Sequence, residues 1–394
     1  MLKMNLKMIG FILALGACTF TGVSSFANGP VVYWNQQVLY AVDGANQGDT
    51  VGRCLNNEEY RNKLCPAIGQ MIAQKFDYLK KNGGLPFEIG NYVDRSNFDA
   101  KGIAKSEGKV QVMVPVVVGD SYHRDSATFQ GNTFYKYDVK TLVDLMFCEI
   151  SEDGGVHVIY NVPMMAYATP GSQFEVTNPL DEKILAKQFF VNSKEAIIQD
   201  LDFPSDFAKY LSVKHTGKFE RVYQVTDVSV CGFNEYGKIN LVSGTKAEIA
   251  IKKAVADAFT SKFAKVNRNC IVMPSPLSGN MWQQRLAEYI QGFSGCADVA
   301  VDFGEEAAQK IMVDVNTWNL YEKDMGKYYD GHYKHHVVDI GMSANIVGDS
   351  VKRKALKPIL YSNEYKIGTT TPVNMTLNWI ELFALAADKA VKGK

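Results

Sequence analysis

The sequence predicts a mixed α/β (α+β) protein of two tandem similar domains, each a mixed sheet with a long hairpin and flanking helices. Segments with the alternating apolar pattern of strands are interleaved with segments whose apolar residues recur at helical spacing. The same order of segments (strand, helix, strand, helix, strand, hairpin, helix) occurs twice along the chain. At 394 residues, 46% of them hydrophobic, the chain is longer than one ordinary domain and can fill two cores.

The first half combines one strongly periodic helix with strongly β-branched strands. Its predicted elements are a strand over 33–42, a helix around 68–79, an extended piece over 87–93, a weaker helix over 97–105, a strand over 110–118, a hairpin of strands 134–150 and 156–167, and a helix over 193–211. Pro66 is expected in the first turn of its helix, because proline breaks a helix interior. Pro115 marks an edge or a bulge within the 110–118 strand.

The second half repeats this order with little sequence identity. Its predicted elements are a strand over 222–230, a helix over 251–263, an extended piece over 270–273, a helix over 282–290, a strand over 310–318, a hairpin from 332–347 back toward Tyr365, and a helix over 374–391. Thr245 and Glu248 fit a capping box ahead of the 251–263 helix. The polar segment 214–218 predicts the junction, so the domains are expected over 28–213 and 214–394.

Residues 1–27 predict export. A short basic stretch precedes an apolar run over 8–17, and 25–27 reads Ser-Phe-Ala, the small-x-small pattern that a signal peptidase cuts. Residues 15–18 read Leu-Gly-Ala-Cys and also fit the bacterial lipobox, in which Cys18 is lipidated. Two alternatives stay open: a soluble periplasmic protein, or a lipoprotein anchored at the periplasmic face of the outer membrane.

The charge pattern argues against nucleic-acid binding. The chain carries 42 Lys and Arg and 42 Asp and Glu residues, without a basic cluster, so neither nucleic acid nor an anionic membrane surface is an expected partner. No second apolar run approaches the roughly 18 residues that a spanning helix needs.

Cysteine usage fits an oxidising compartment. Setting Cys18 aside leaves an even set that predicts at least one disulfide bond: Cys54, Cys65, Cys148, Cys231, Cys270 and Cys296. Pairing Cys54 with Cys65, or Cys270 with Cys296, would close a short loop. Other pairings stay open, and buried free thiols are the alternative. Without a C-x-x-C pattern, a redox motif or zinc ribbon is not expected.

Two polar clusters are candidates for a catalytic or a metal-binding site. The segment 119–126 is predicted to be a polar loop at the end of a buried strand, where Asp120, His123 and Asp125 could form an acid–base group. The second cluster comprises Asp330, His332, His335 and His336. Strand alternation turns its neighbouring imidazoles to opposite faces, so surface polar residues are favoured and no metal site is expected. No GxGxxG or Walker pattern is present, and no cofactor is expected.

An aromatic group in the last third is the best candidate binding surface. Its members are predicted to gather around one loop: Trp318, Tyr321, Tyr328, Tyr329 and Tyr333. Tyrosine and tryptophan give large contact areas with a polar handle, which suits a protein partner. The alternative is that these side chains only cover the edge of a hairpin.

The order of elements resembles that of bacterial envelope modules: the amino-terminal domain of TolB and the periplasmic part of CsgG-like curli-secretion proteins. The last third is also similar to YajG-like lipoproteins, in which a Val-rich strand ending in an aromatic residue, here 313–318, precedes an aromatic-rich loop and a hairpin. The resemblance implies an assembly or adaptor protein. The chain departs from the CsgG pattern in showing no recognisable transmembrane hairpin segments, which puts channel formation in doubt.

The sequence therefore predicts a non-enzymatic exported envelope protein, a structural or adaptor component of an outer-membrane or secretion-related assembly. Other envelope proteins are the expected partners, and a homo-oligomer is an open alternative. The alternative function is a periplasmic hydrolase that uses the loop from Asp120 to Asp125.

Overall fold

The computed structural model describes residues 29–42, 58–129, 132–168, 171–172, 197–199, 201, 203–215, 222–230, 246–267, 270–304, 308–328, 331–347, 359–367, 386–388 and 390–391. Over 120–140, 316–339 and 359–367 it describes the backbone alone. The expectations for the signal region, Cys18, Cys54, Cys231, Thr245, Tyr329 and Asp330 lie outside the described residues.

The first half forms a mixed sheet flanked by helices. Its elements are β1 (Val31–Tyr33), β2 (Leu39–Tyr40), α1 (Glu58–Lys81), β3 (Glu88–Gly90), α2 (Ala100–Glu107), β4 (Lys109–Phe129), β5 (Asn132–Ser151), β6 (Val156–Ala168), β7 (Gly171–Ser172), β8 (Ile197–Gln199) and α3 (Phe207–Ser212). The central strand order is β3-β1-β4-β5-β6. Strand β1 runs parallel to β3 and β4, whereas β4, β5 and β6 are antiparallel.

The second half builds a second sheet with the same plan. Its elements are β9 (Val222–Val230), α4 (Lys246–Val266), β10 (Ile271–Met273), α5 (Met281–Gln291), β11 (Val301–Asp302), β12 (Gln309–Tyr328), β13 (Gly331–Ile346) and β14 (Ile359–Ile367). The order β10-β9-β12-β13-β14 repeats that of the first sheet, with the same parallel and antiparallel neighbours. The predicted mixed α/β class is confirmed.

Two elements of the second half nevertheless belong to the first sheet. Helix α5 contacts β2 and β4, and its side chains Trp282, Leu286 and Ile290 are buried in the first core. Strand β11 pairs with β6, with Val301 opposite Val156. The chain junction near residue 214 therefore does not divide the molecule into two independent cores.

Helix α1 confirms the predicted apolar face and corrects its start. Ile68, Ile72 and Phe76 are fully buried, as their helical spacing predicts. The helix begins at Glu58, so Pro66 lies in its interior and the first-turn prediction is wrong. Proline removes one backbone donor there, and burial of the apolar face offsets that loss.

Three other sequence expectations change. The strand predicted over 33–42 is divided into β1 and β2 by a kink at Gln36, whose φ is 64°. The helix predicted over 193–211 contains β8, and helix α3 begins only at Phe207. Pro115 lies inside the central strand β4, in regular register with Leu145 of β5, so the predicted edge or bulge is wrong at this position. On the other side of β4, Pro115 falls between the residues that pair with β1 and those that pair with β2, so its missing N–H interrupts neither of those two ladders.

Both long hairpins extend past the parallel strands that pair with their first strands: among the described residues, parallel pairing on β4 ends at Val117 and on β12 at Val315. In β4 the register shifts between Val117 and Gly119, and in β12 it shifts between Val315 and Thr317. Such bulges bend a strand and increase its twist. Beyond them lie ribbon 1, residues 120–129 with 132–140, and ribbon 2, residues 317–328 with 331–340 and β14. Ten residues of strand reach about 30 Å.

None of the helices within the described part of the chain combines the length and apolar character needed to cross a membrane.

Candidate functional site

The predicted acid–base loop is a strand. The backbone of 119–126 is part of β4, with Asp120 opposite Thr141, His123 opposite Asp138 and Asp125 opposite Lys136. The loop interpretation is wrong because these residues pair with β5. That pairing satisfies their backbone hydrogen bonds, although their polar sequence does not show a strand pattern.

The predicted aromatic group is spread along ribbon 2 instead of one loop. Trp318 and Tyr328 lie on β12 opposite Ile340 and Gly331, and Tyr333 lies on β13 opposite Gly326. Trp318 and Tyr328 are ten positions apart, which corresponds to about 30 Å of strand. Tyr321 is paired with Val337 between these ends.

The three histidines lie on β13, as the strand prediction requires. They are paired with β12 at Lys327 for His332, Lys323 for His335 and Glu322 for His336. Among the residues that the structure describes, no three His, Cys, Asp or Glu side chains converge as a metal site would need.

The described cysteines do not form the favoured Cys270–Cys296 disulfide. Cys148 is a buried free thiol on β5, and burial raises its pKa to about 12. Cys296 is buried in the first core, where burial also raises its pKa. The Cys270 thiol donates to the backbone oxygen of Asn267 at 2.7 Å. The other pairing involves Cys54, outside the described residues.

The position where open α/β sheets commonly bind ligands is filled by the chain itself. That position is the crevice beyond the carboxyl ends of β1 and β3. Asn35 follows β1, Tyr92 follows β3, and Tyr289 enters from α5. The Tyr289 hydroxyl donates to Asn35 Oδ1 at 2.9 Å and lies 2.5 Å from the Tyr92 hydroxyl oxygen. Arg95 covers the Tyr289 ring at 5.2 Å from its centroid.

Aromatic contacts stabilise this filled crevice. The Tyr92 and Phe98 rings stack with centroids 4.5 Å apart, and Phe293 meets both edge-on. Pairs of this kind contribute about 0.5–1.5 kcal/mol each beyond area burial. Burial raises the pKa of both tyrosines, so their hydroxyls stay neutral and act as hydrogen-bond donors. The crevice is therefore the site at which α5 packs against the first sheet.

A second polar group, the junction cluster, lies where the halves meet: Asp144, Asn161, Lys253, Asp257 and Ser278. Asp144 on β5 and Asn161 on β6 come from the first half. Lys253 and Asp257 come from α4, and Ser278 comes from the turn after β10. Ser278 donates to Asp257 Oδ1 at 2.6 Å, and the Lys253 ammonium lies 3.8 Å from Asp257 Oδ2. Asp144 is 1% exposed, and its Oδ1 has no hydrogen-bond partner among the described residues.

The two carboxyls of the junction cluster have different environments. Burial, followed by the nearby Asp257 charge, raises the pKa of Asp144 to about 8, and the hydrogen bond from Asn161 only partly opposes this. Burial also raises the pKa of Asp257, but Lys253 and Ser278 act in the opposite direction. Asp144 is therefore the carboxyl that holds a proton at neutral pH.

A third group, the Glu149 cluster, fixes the end of α3. Buried Glu149 accepts from the His215 backbone N–H at 2.7 Å and from Gln111 at 3.1 Å, and it lies 3.3 Å from the Lys109 ammonium. Lys109 and Gln111 also donate to the carbonyl oxygen of Leu211, at 2.5 and 2.8 Å. Burial lowers the pKa of the His215 imidazole, partly opposed by Glu149. This arrangement caps a helix and secures the junction.

Comparisons with known proteins identify no relative: no protein-family model, curated protein or solved structure matches this chain. The envelope-module resemblance stays a prediction.

Proposed function

We propose that this chain is a non-enzymatic exported envelope protein, an adaptor whose two extended ribbons engage other envelope proteins. The observation that carries this proposal is the duplicated architecture, in which each sheet continues into a ribbon beyond a bulge at the same place. Among the described residues, β4 beyond Val117 and β12 beyond Val315 pair on one side only, and such a strand edge can take up an extended segment of a partner.

The geometry of the polar groups favours an adaptor over an enzyme. The crevice at β1 and β3 holds Tyr289, and the Glu149 cluster caps α3. The segment proposed for hydrolysis is a paired strand. Export and an envelope location are supported by the sequence of residues 1–27 alone.

Shortening ribbon 1 is expected to remove partner binding without unfolding the protein. Residues 124–137 can be replaced by Asn-Gly, because His123 and Asp138 are directly opposite and a two-residue turn joins such positions. In cross-linking from the native envelope, recovery of partner proteins should fall about tenfold or more, equivalent to about 1.4 kcal/mol of binding free energy. The melting temperature should be nearly unchanged.

The matched control is Glu152→Ala, at the opposite end of β5, where the side chain is 57% exposed. Equal partner recovery from the shortened and control proteins would contradict the adaptor proposal. A hydrolytic activity lost in His123→Ala and kept in Glu152→Ala would support the alternative enzyme.

A further inference from the structure

In the junction cluster, the buried carboxyl of Asp144 from the first half lies within electrostatic reach of Asp257 from the second half, whose side chain is 20% exposed. Helix α4 packs on β9, β10 and β12 of its own sheet and also contacts β6 of the first sheet. Asp257 also lies next to Gly119 on β4, where a Cβ would be 3.4 Å from Asp257 Oδ2, an ordinary van der Waals distance. Because like charges repel and Asp144 is the more buried of the two, this arrangement favours an uncharged Asp144.

Beside this cluster, the Asn161 side chain forms hydrogen bonds with a strand of the second half as a neighbouring strand would. Asn161 lies on β6 between the residues that pair with β11 and those that pair with β8. Its Oδ1 accepts from the Val272 backbone N–H at 3.0 Å, and its Nδ2 donates to the Val272 carbonyl oxygen. Both backbone groups of Val272, on β10, are thus held by the first half. The Val272 amide reports whether the halves are docked at this point.

We propose that the junction cluster is a proton-linked latch: a proton on Asp144 keeps α4 and β10 docked on the first sheet, and loss of that proton releases them. This inference does not depend on the identity of any partner. The latch gives an exported protein a way to respond to the pH outside the cytoplasm.

The direction of the effect follows from the charges that face Asp144. Asp257 on α4 is the charge that acts on Asp144, and Asn161 on β6 hydrogen-bonds to it. Lys253 on α4 and Ser278 in the turn after β10 contact Asp257. Lys253 is already engaged with Asp257, so it does not neutralise a second carboxylate. The pKa of Asp144 is about 8 when docked and about 4 when solvated. The contribution to docking is complete below about pH 4, weakens as pH rises and is lost above about pH 8.

Hydrogen exchange at the Val272 amide tests the latch in the full-length protein. After correction for the intrinsic exchange rate, protection should fall by up to tenfold per pH unit, or about 100-fold between pH 6 and 8, the limit for release of one proton. In Asp144→Asn, an uncharged isostere, protection should stay constant across this range. The Trp34 amide, bonded to the Gly90 carbonyl oxygen at 2.8 Å within the first sheet, is the internal control.

Two outcomes would overturn the latch. One is a pH dependence at Val272 that is the same in the wild-type and Asp144→Asn proteins. The other is an equal loss of protection at Val272 and Trp34, which would indicate global unfolding. If Asp144→Asn does not fold, the smaller neutral Asp144→Ser serves the same comparison. His157→Gln, a substitution outside the cluster, should keep the wild-type profile.

Discussion

Replacing Leu286 with alanine is expected to destabilise the protein by about 2–5 kcal/mol, the range for a buried leucine whose removal leaves a cavity. Leu286 is fully buried in the first core although it belongs to the second half of the chain. The loss should therefore appear in probes of the first sheet, such as fluorescence of the buried Trp34. Chemical denaturation followed by that signal measures it.

The matched control on the same helix is Gln284→Ala. Gln284 is exposed and its amide bonds to Glu288 at 2.9 Å along the helix. Because alanine is the best helix former, we expect a change within about 0.5 kcal/mol. Equal effects of the two substitutions would show that α5 does not stabilise the first sheet.

Replacing Glu149 with alanine is expected to cost about 3–5 kcal/mol, because it removes the buried carboxylate that pairs with the Lys109 ammonium. The Lys109 ammonium, the Gln111 amide and the His215 backbone N–H all lose a partner. The free energy of unfolding from denaturant titration at neutral pH measures the change.

Glu152→Ala is the control for charge alone. Glu152 pairs with Lys214 at 2.8 Å, and both side chains are about half exposed, so this pair is worth about 0–1 kcal/mol. If both glutamate variants lost similarly little, the Glu149 cluster would be an ordinary surface network.

The elements that were predicted from sequence are those with a local signal. Helices α1 and α4 place Ile68, Phe76, Ile251 and Val255 in the cores because these residues recur at helical spacing. The turn at Asp153 and Gly154 was predicted from its Asp-Gly pair, and Gly154 indeed adopts the positive φ, 87°, that such a turn requires. Repetition of element order was also visible, and it corresponds to the shared strand order of the two sheets.

The features that were not predicted depend on contacts between residues far apart in the sequence. Residues 119–126 of β4 were interpreted as a loop because their polar sequence lacks the apolar alternation of a half-buried strand. The packing of α5 on the first sheet could not be inferred, because the sequence of an amphipathic helix does not show which sheet it covers. For the buried clusters a signal was present: Asp144 and Glu149 interrupt an otherwise apolar strand, and a carboxyl there requires buried partners.

We expect the two halves to form one cooperative body, joined through α5 and the junction cluster. Expressing residues 29–215 alone and following near-ultraviolet circular dichroism during thermal unfolding tests this directly. No cooperative transition is expected for this fragment, since Leu286, Trp282 and β11 are missing from its core and sheet. A sharp transition near that of the full-length chain would instead establish the first half as an independent domain.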